Sequence, residues 1–310
     1  MSDLDVNDDV AFYCMSSSEY FLGAVAMVNS LRLLGHDEPI HLLDLGLTAE
    51  QHRALAAEAT IVEAPAGTQP WLSKTIAPLA QPAETMILID TDIIVTRRLD
   101  ELIERASEGG AIAFENDDER FVTEWAELLE LEAPKRRPYV CSGLVFLGGE
   151  AGAEALRLLD DRQRRVDYER SYFGADEPGY ALRFLDQDVL NAVLQSSVDT
   201  ESYEVRPFAE APMPPFEGLR VIDESRLRCA YADGHSPYAV HHFGAKPWLE
   251  ATHDGVYSQL LRRLLQGPDV AIGVPSAELP LRLRGGPIAS AERKRINLGQ
   301  RLRRRFGGTT

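Results

Sequence analysis

Between residues 10 and 115 the sequence alternates short apolar runs with longer segments of helical periodicity, and this alternation constrains the fold most. VAFYC (10–14) is an apolar run, and apolar residues recur at helical spacing from Tyr20 to Leu34. Gly35 then fits a helix C-cap. PIHLLDL (39–45) reads as a second strand. Thr48 and Gln51, three residues apart, form a capping box for a helix running to about Ala59. TIVEA (60–64) is a third strand, Trp71 to Leu79 a turn or two of helix stopped by Pro82, and TMILID (85–90) a fourth strand. Leu99 to Ala106 is helical in pattern and AIAFE (111–115) strand-like. Such alternation specifies an α/β architecture with a mainly parallel sheet.

The second half is less regular. LVFLGG (144–149) reads as a strand, Glu150 to Tyr168 as an amphipathic helix, and Asp186 to Gln195 as a helix opened by DQD. Residues 206–218 hold four prolines and read as loop. YAVHHFGAKPW (238–248) is a short strand leading into a loop, and Asp254 to Gln266 a helix. After Gly267 the composition shifts to Pro, Gly and Arg. Residues 1–267 are therefore expected to form a single domain and 268–310 a basic tail.

Charge sharpens that division. The formal net charge is −17. Nine of the 32 basic residues but only one of the 49 acidic residues lie from Arg282 onward, which leaves 23 basic and 48 acidic before it, a net of −25. A body this acidic argues against nucleic-acid binding. The three cysteines, Cys14, Cys141 and Cys229, are far apart and form no CxxC, as expected for buried thiols in a reducing compartment. MSDLDVNDDV does not read as a signal peptide, and no run approaches the ~18 apolar residues of a spanning helix. The expected location is cytoplasmic.

The strand TMILID runs into Asp90, Thr91 and Asp92. Alternate side chains of an extended strand share a face, so Asp90 and Asp92 are expected to project together. Two adjacent carboxylates repel unless a cation lies between them, and a hard divalent ion with oxygen ligands is the usual one. Open α/β sheets bind ligands beyond the carboxyl ends of such strands. In HHFGAKPW (241–248), a strand-end histidine would complete a mixed site suited to Mn²⁺ or Mg²⁺. Lys246 and the backbone near Gly244 would neutralise a diphosphate. Each stretch also has a plainer reading: a solvated strand end, a surface loop, and, for DQD, a helix N-terminus favoured by the helix dipole.

Taken together and in order, DTD (90–92), CSGLVFL (141–147), DQDVLN (186–191) and HHFGAKPW (241–248) resemble glycosyltransferase family 8, as does EYFLGAVAMVNSLR near the N-terminus. This is the family of glycogenin and of bacterial lipooligosaccharide galactosyltransferases, and the resemblance covers about residues 10 to 250. It implies a GT-A (Rossmann-like) fold with a mixed, mainly parallel central sheet flanked by helices. It also implies retaining transfer of a hexose from a nucleotide-sugar, UDP-linked by family habit. By the same resemblance Asp90, Asp92 and His241 bind Mn²⁺, and Lys246 contacts the diphosphate. Lys74 reaches the donor, and Cys14, Ser16 and Tyr20 fall where base and ribose are held. Asp186 and Gln187 line the reactive face of the donor sugar, with Asp188 the weakest member of that set. The sequence departs from the family pattern at Cys141, where an Asn is usual, at Ser16 to Ser18, and by one residue between Gly244 and Lys246.

ILIDTDIIV also fits the first motif of haloacid-dehalogenase-like phosphatases, although those place it near the start of the domain. A non-catalytic nucleotide-sugar-binding protein is a further alternative. Glu115, Asn116, Asp117 and Asp118 read as a solvated acidic loop, with an acceptor-side role as the alternative. AERKRINLGQRLRRRF (291–306) reads either as a basic amphipathic helix for an anionic membrane surface or as a tail that is solvated or folded onto the body. The expected partners are a nucleotide-sugar, a saccharide, lipid-linked or protein acceptor, and peripherally an anionic inner-membrane surface.

Overall fold

The structure, a computed structural model, describes residues 8–252 and 255–306; the residues before Asp8, and Asp254, lie outside the described set. In chain order the first half comprises β1 (Asp8–Ser16), α1 (Phe21–Leu33), β2 (Ile40–Asp44), α2 (Ala49–Leu55), β3 (Thr60–Glu63), α3 (Ile76–Ala80), β4 (Ala83–Ile89), β5 (Ile93–Val95), α4 (Asp100–Ser107) and β6 (Gly110–Glu115). The second comprises α5 (Trp125–Leu129), β7 (Val140–Gly148), α6 (Gly149–Gln163), α7 (Asp186–Ser197), β8 (Tyr203–Arg206), β9 (Arg220–Asp223), β10 (Arg228–Ala230), β11 (Ala239–His241), α8 (Val256–Gln266) and α9 (Pro287–Phe306).

Seven strands form the central sheet in the order β3-β2-β1-β4-β7-β6-β8. Pairing is parallel except at β7, which is antiparallel to both β4 and β6. The inner strands β4 and β7 are covered on both faces and are mostly apolar, whereas the outer strands β3 and β8 are partly exposed. Along β4, Ile87 and Ile89 enter a core with α1, α4 and α8, whereas Met86 and Leu88 enter one with α5, α6 and α7. Each such side chain is at most 2% exposed and contributes about 1.5–3 kcal/mol by burial.

Local signals in the first half take the expected form. Gly35 (φ +80°) ends α1, with its N–H donating to Arg32 O and that of His36 to Leu31 O, the paired bonds of a Schellman motif. Thr48 and Gln51 form the capping box in both directions. Gly23, inside α1, lets the helix approach the site: a Cβ there would lie 2.5 Å from Thr91 O and 2.7 Å from the Trp248 ring.

Two expectations need correction, and one strand stands apart from the main sheet. β4 ends at Ile89, and the chain turns at Asp90–Asp92, with Ile93 N–H bonding back to Asp90 O. The two carboxylates therefore converge through a turn, not through strand pleat. β5 leaves the main sheet and pairs antiparallel with β11. Helix α6 stops at Gln163, and Tyr168 opens a short 3₁₀ turn.

The composition break after Gly267 is not a break in packing. Ile272, Val274, Leu279 and Leu283 join the core of α1 and α8, and buried Asn29 bonds to Leu264 O and to both backbone groups of Ile272. Helix α9 then lies on the body, burying Ala289 and Ile296 and leaving Ile288 and Leu298 exposed. The side chains of Leu302 and Phe306 lie outside the described set. No helix among the described residues is long and apolar enough to cross a membrane.

Candidate functional site

Four segments converge at the carboxyl end of β4. Antiparallel β7 pairs Leu144 with Ile89, which carries Cys141, Ser142 and Gly143 past the strand end, and Asp90 N–H donates to Gly143 O at 2.8 Å. Antiparallel β11 pairs His241 with Ile93, and His242 N–H donates to Asp92 O at 2.9 Å. Asp90, Asp92 and His241 thus each present one ligand atom within 4.8 Å of the others. Gly143 gives His241 its room: a Cβ there would lie 2.8 Å from the imidazole Cε1.

The electrostatics are those of acids balanced by nearby cations. Burial works against ionisation of Asp92, but His241 and Lys246 outweigh it and hold its pKa well below the carboxylate range. Lys246 Nζ ion-pairs with Asp92 Oδ2 and donates to His242 O at 2.8 Å. For Asp90, burial raises the pKa against the attraction of Lys74, and the neighbouring Asp92 adds to the rise. Burial opposes protonation of His241, but Asp92 and Cys141 outweigh it and raise its pKa well above the usual value. Asp92 Oδ1 is buried and accepts no hydrogen bond, although His241 Nε2 lies 3.2 Å away. An orphaned carboxylate oxygen beside a second carboxylate and an imidazole nitrogen is the donor set a divalent cation needs. The residues present therefore fit such an ion.

Lys74 links this cluster to α7. Its Nζ lies 3.0 Å from Asp90 Oδ1 and 3.2 Å from Asp186 Oδ2, and it donates to Ser142 O at 2.9 Å. Burial works against its charge, but Asp186 and Asp90 more than offset it and raise its pKa. Gln187 accepts from Ser142 N–H at 3.2 Å and donates to Tyr139 OH at 3.1 Å. Helix α7 begins after Leu185, whose φ of +52° is strained for a side-chain-bearing residue at a cost of about 1–3 kcal/mol. This backbone aims Asp186 at Lys74.

Asp188 is fully buried and serves the fold. Arg120 Nε (2.7 Å), Tyr139 OH (2.8 Å) and Phe184 N–H (2.8 Å) all donate to it.

Of the other expected residues, Tyr20 lies beside Lys246, whose ammonium is 5.9 Å from the ring centroid, and it packs edge-on against Trp248. Trp248 Nε1 donates to Glu19 O, tying the KPW segment to the start of α1. Gly244 has φ +85°, a backbone that glycine adopts freely. Cys14 lies in the core, where burial and nearby Asp90 raise its thiol pKa. Ser16 is buried with its hydroxyl on Ser17 O. The sequence reading missed Ser142, which binds both Lys74 and Gln187, and the Arg120–Tyr139 pair behind α7. Ser142 was visible inside CSG; nothing in the sequence marked Arg120 or Tyr139.

No protein-family model matches the sequence. No curated protein matches it either. Solved structures do match. An active-site mutant of LgtC superposes with a TM-score of 0.52 at 15% identity, covering 84% of this chain and 98% of that one. The galactosyltransferase LgtC in complex with donor and acceptor sugar analogues gives 0.50 at 16% identity, with the same coverage. The bifunctional glycosyltransferase WbbM gives 0.53 at 14% identity, over 86% of this chain and 51% of that one. The chain therefore has the GT-A fold. That is the fold the motif resemblance implies.

Proposed function

We propose that the protein is a metal-dependent, retaining glycosyltransferase that moves a hexose from a nucleotide-sugar, UDP-linked, to a saccharide, lipid-linked or protein acceptor. The observation that carries this reading is the convergence of Asp90, Asp92 and His241 with Lys74, Lys246 and Asp186 at the carboxyl end of β4. Three carboxylates there face two lysines. A diphosphate, itself doubly negative, would lie against Asp90, Asp92 and Asp186 there, and a divalent cation between them would relieve that local repulsion. Asp90, Asp92 and His241 Nε2 would hold that ion, Mn²⁺ or Mg²⁺. When bound, it supplies electrostatic stabilisation of the leaving nucleoside diphosphate.

The chain's own residues do the rest. With Nε2 free for a cation, His241 carries its proton on Nδ1, which faces Cys141 Sγ at 3.5 Å, and that contact fixes the ring. This gives Cys141 a part in place of the usual Asn. Lys246 sits where the diphosphate is expected and stabilises its charge as the bond to the sugar breaks. Lys74 clamps Asp186, which with Gln187 faces the positive charge developing on the sugar. The phosphatase alternative leaves His241, Lys246 and Gln187 without a part.

Thermal shift with a panel of nucleotide-sugars, with and without Mn²⁺, tests the reading on wild type and Asp92→Asn. Stabilisation that requires both the metal and Asp92 supports it and names the donor. No response from the folded protein overturns it, and metal-dependent binding without turnover on any acceptor would favour the non-catalytic alternative. For α9 we propose peripheral contact with anionic membrane through its basic outer face, where Arg295 and Leu298 are exposed. Failure of anionic liposomes to retain the full chain at low salt removes that part.

A further inference from the structure

The ribbon of β5 and β11 has a second end. At one end lie Asp92 and His241; at the other, Val95 pairs with Ala239, and the N–H groups of Thr96 and Arg97 both donate to Tyr238 O. Beyond this second end opens a cavity of about 600 Å³, lined in part by Arg97, Arg226, Arg228 and His235. No carboxylate is among its lining residues. That is unusual for a chain whose first 281 residues carry a net charge of −25.

The cations are held apart from full neutralisation. Arg97 is fixed by Glu101 at 3.0 Å and by stacking over the Tyr238 ring at 4.1 Å, which orients its guanidinium. Arg226 has only a long contact to Asp223, at 4.0 Å. The Arg228 side chain has no ion pair or hydrogen bond among the described residues. His235 Nε2 is buried and has no hydrogen-bond partner. Three guanidiniums around one cavity match the acceptor oxygens of a phosphate group, which arginine binds through two parallel N–H bonds.

We propose that this cavity is a second binding site, for a small molecule carrying a phosphate ester or diphosphate, with Arg226 and Arg228 as its principal donors. The three residues of β5 separate it from Asp92 by about 10 Å, so a diphosphate held at the first site does not reach it. The assignment does not rest on the glycosyltransferase reading.

The test is calorimetric titration of the full chain with inorganic pyrophosphate, in EDTA so that no metal bridges the probe to Asp90 and Asp92. Binding to wild type is expected to weaken at least about tenfold in Arg226→Ala/Arg228→Ala and to remain unchanged in Lys74→Ala. Both arginines are solvent-exposed, so the double variant should stay folded; if it does not, Arg97→Gln carries the same comparison. Equal binding by wild type and the arginine variant, loss of binding in Lys74→Ala, or no binding by wild type overturns the proposal.

Discussion

Asp186 and Asp188 stand two residues apart at the start of α7, yet their removal should have opposite consequences. Asp188 is fully buried and accepts from Arg120, Tyr139 and Phe184 N–H. Asp188→Ala leaves a guanidinium and a phenol without their acceptor. Breaking a buried pair from one side costs about 3–5 kcal/mol. Arg120 keeps Ala181 O and is 20% exposed, so the expected loss is at the lower end, about 3 kcal/mol. Against a total stability of about 5–15 kcal/mol, that is readily seen in urea unfolding. Asp186 is 21% exposed, and without it Lys74 keeps Asp90 at 3.0 Å and Ser142 O at 2.9 Å. Asp186→Ala should therefore cost about 1 kcal/mol or less while reducing sugar transfer at least ~100-fold. Asp188→Asn, which keeps the shape and an acceptor oxygen, should lie between wild type and Asp188→Ala in stability. The reasoning is refuted if Asp188→Ala unfolds within 1 kcal/mol of wild type, or if Asp186→Ala is the less stable of the two.

Gly143→Ala should push His241 off its position, costing about 1–3 kcal/mol by overpacking and weakening Mn²⁺ binding roughly tenfold or more, as read by paramagnetic resonance titration. Lys246→Ala should retain Mn²⁺ binding but weaken nucleotide-sugar binding by about 100-fold; equal donor affinity in the variant would remove Lys246 from the site. His41 stacks on Tyr13 and is buried enough that its pKa falls below the usual value of about 6.5, with Asp8 opposing the fall. The unfolded chain therefore takes up its proton first as pH drops, and stability should decline below about pH 6.5 until the folded pKa is passed. In denaturant unfolding at pH 7 and pH 5, His41→Gln should show a smaller decline than wild type.

What the sequence made legible was local. The Gly35 stop and the Thr48–Gln51 box depend on neighbours three to five residues apart, and both formed as expected. β8 (YEVR) and β9 (RVID) were not legible, because short strands with charged or half-exposed residues offer no clear apolar face. β7 begins at Val140, four residues before the expected start. The division of labour in DQD was present in principle. Two residues on a helix are about 200° apart around the axis, so Asp186 and Asp188 cannot face the same site. Which of them faces outward depends on Arg120 and Tyr139, and no spacing in the sequence announces those contacts.

Pairing direction, more than motif spacing, assembles the site. In a wholly parallel sheet the start of β7 would lie at the far edge from Asp90. Because β7 runs antiparallel, the residues preceding Leu144 emerge beside the end of β4, and Gly143 O receives Asp90 N–H. Because β11 runs antiparallel to β5, its final residue, not its first, lies beside Asp92. CSG and HHFGAKPW are thus brought to DTD by two strands that oppose the prevailing direction of their neighbours. Register then matters more than distance along the chain. A one-residue slip of β11 would turn His241 away and His242 inward. His242 packs instead on Phe216 and Tyr257, and burial lowers its pKa to about 4. The apolar surroundings of His242 and the carboxylate beside His241 are therefore two parts of one constraint on the register of that ribbon.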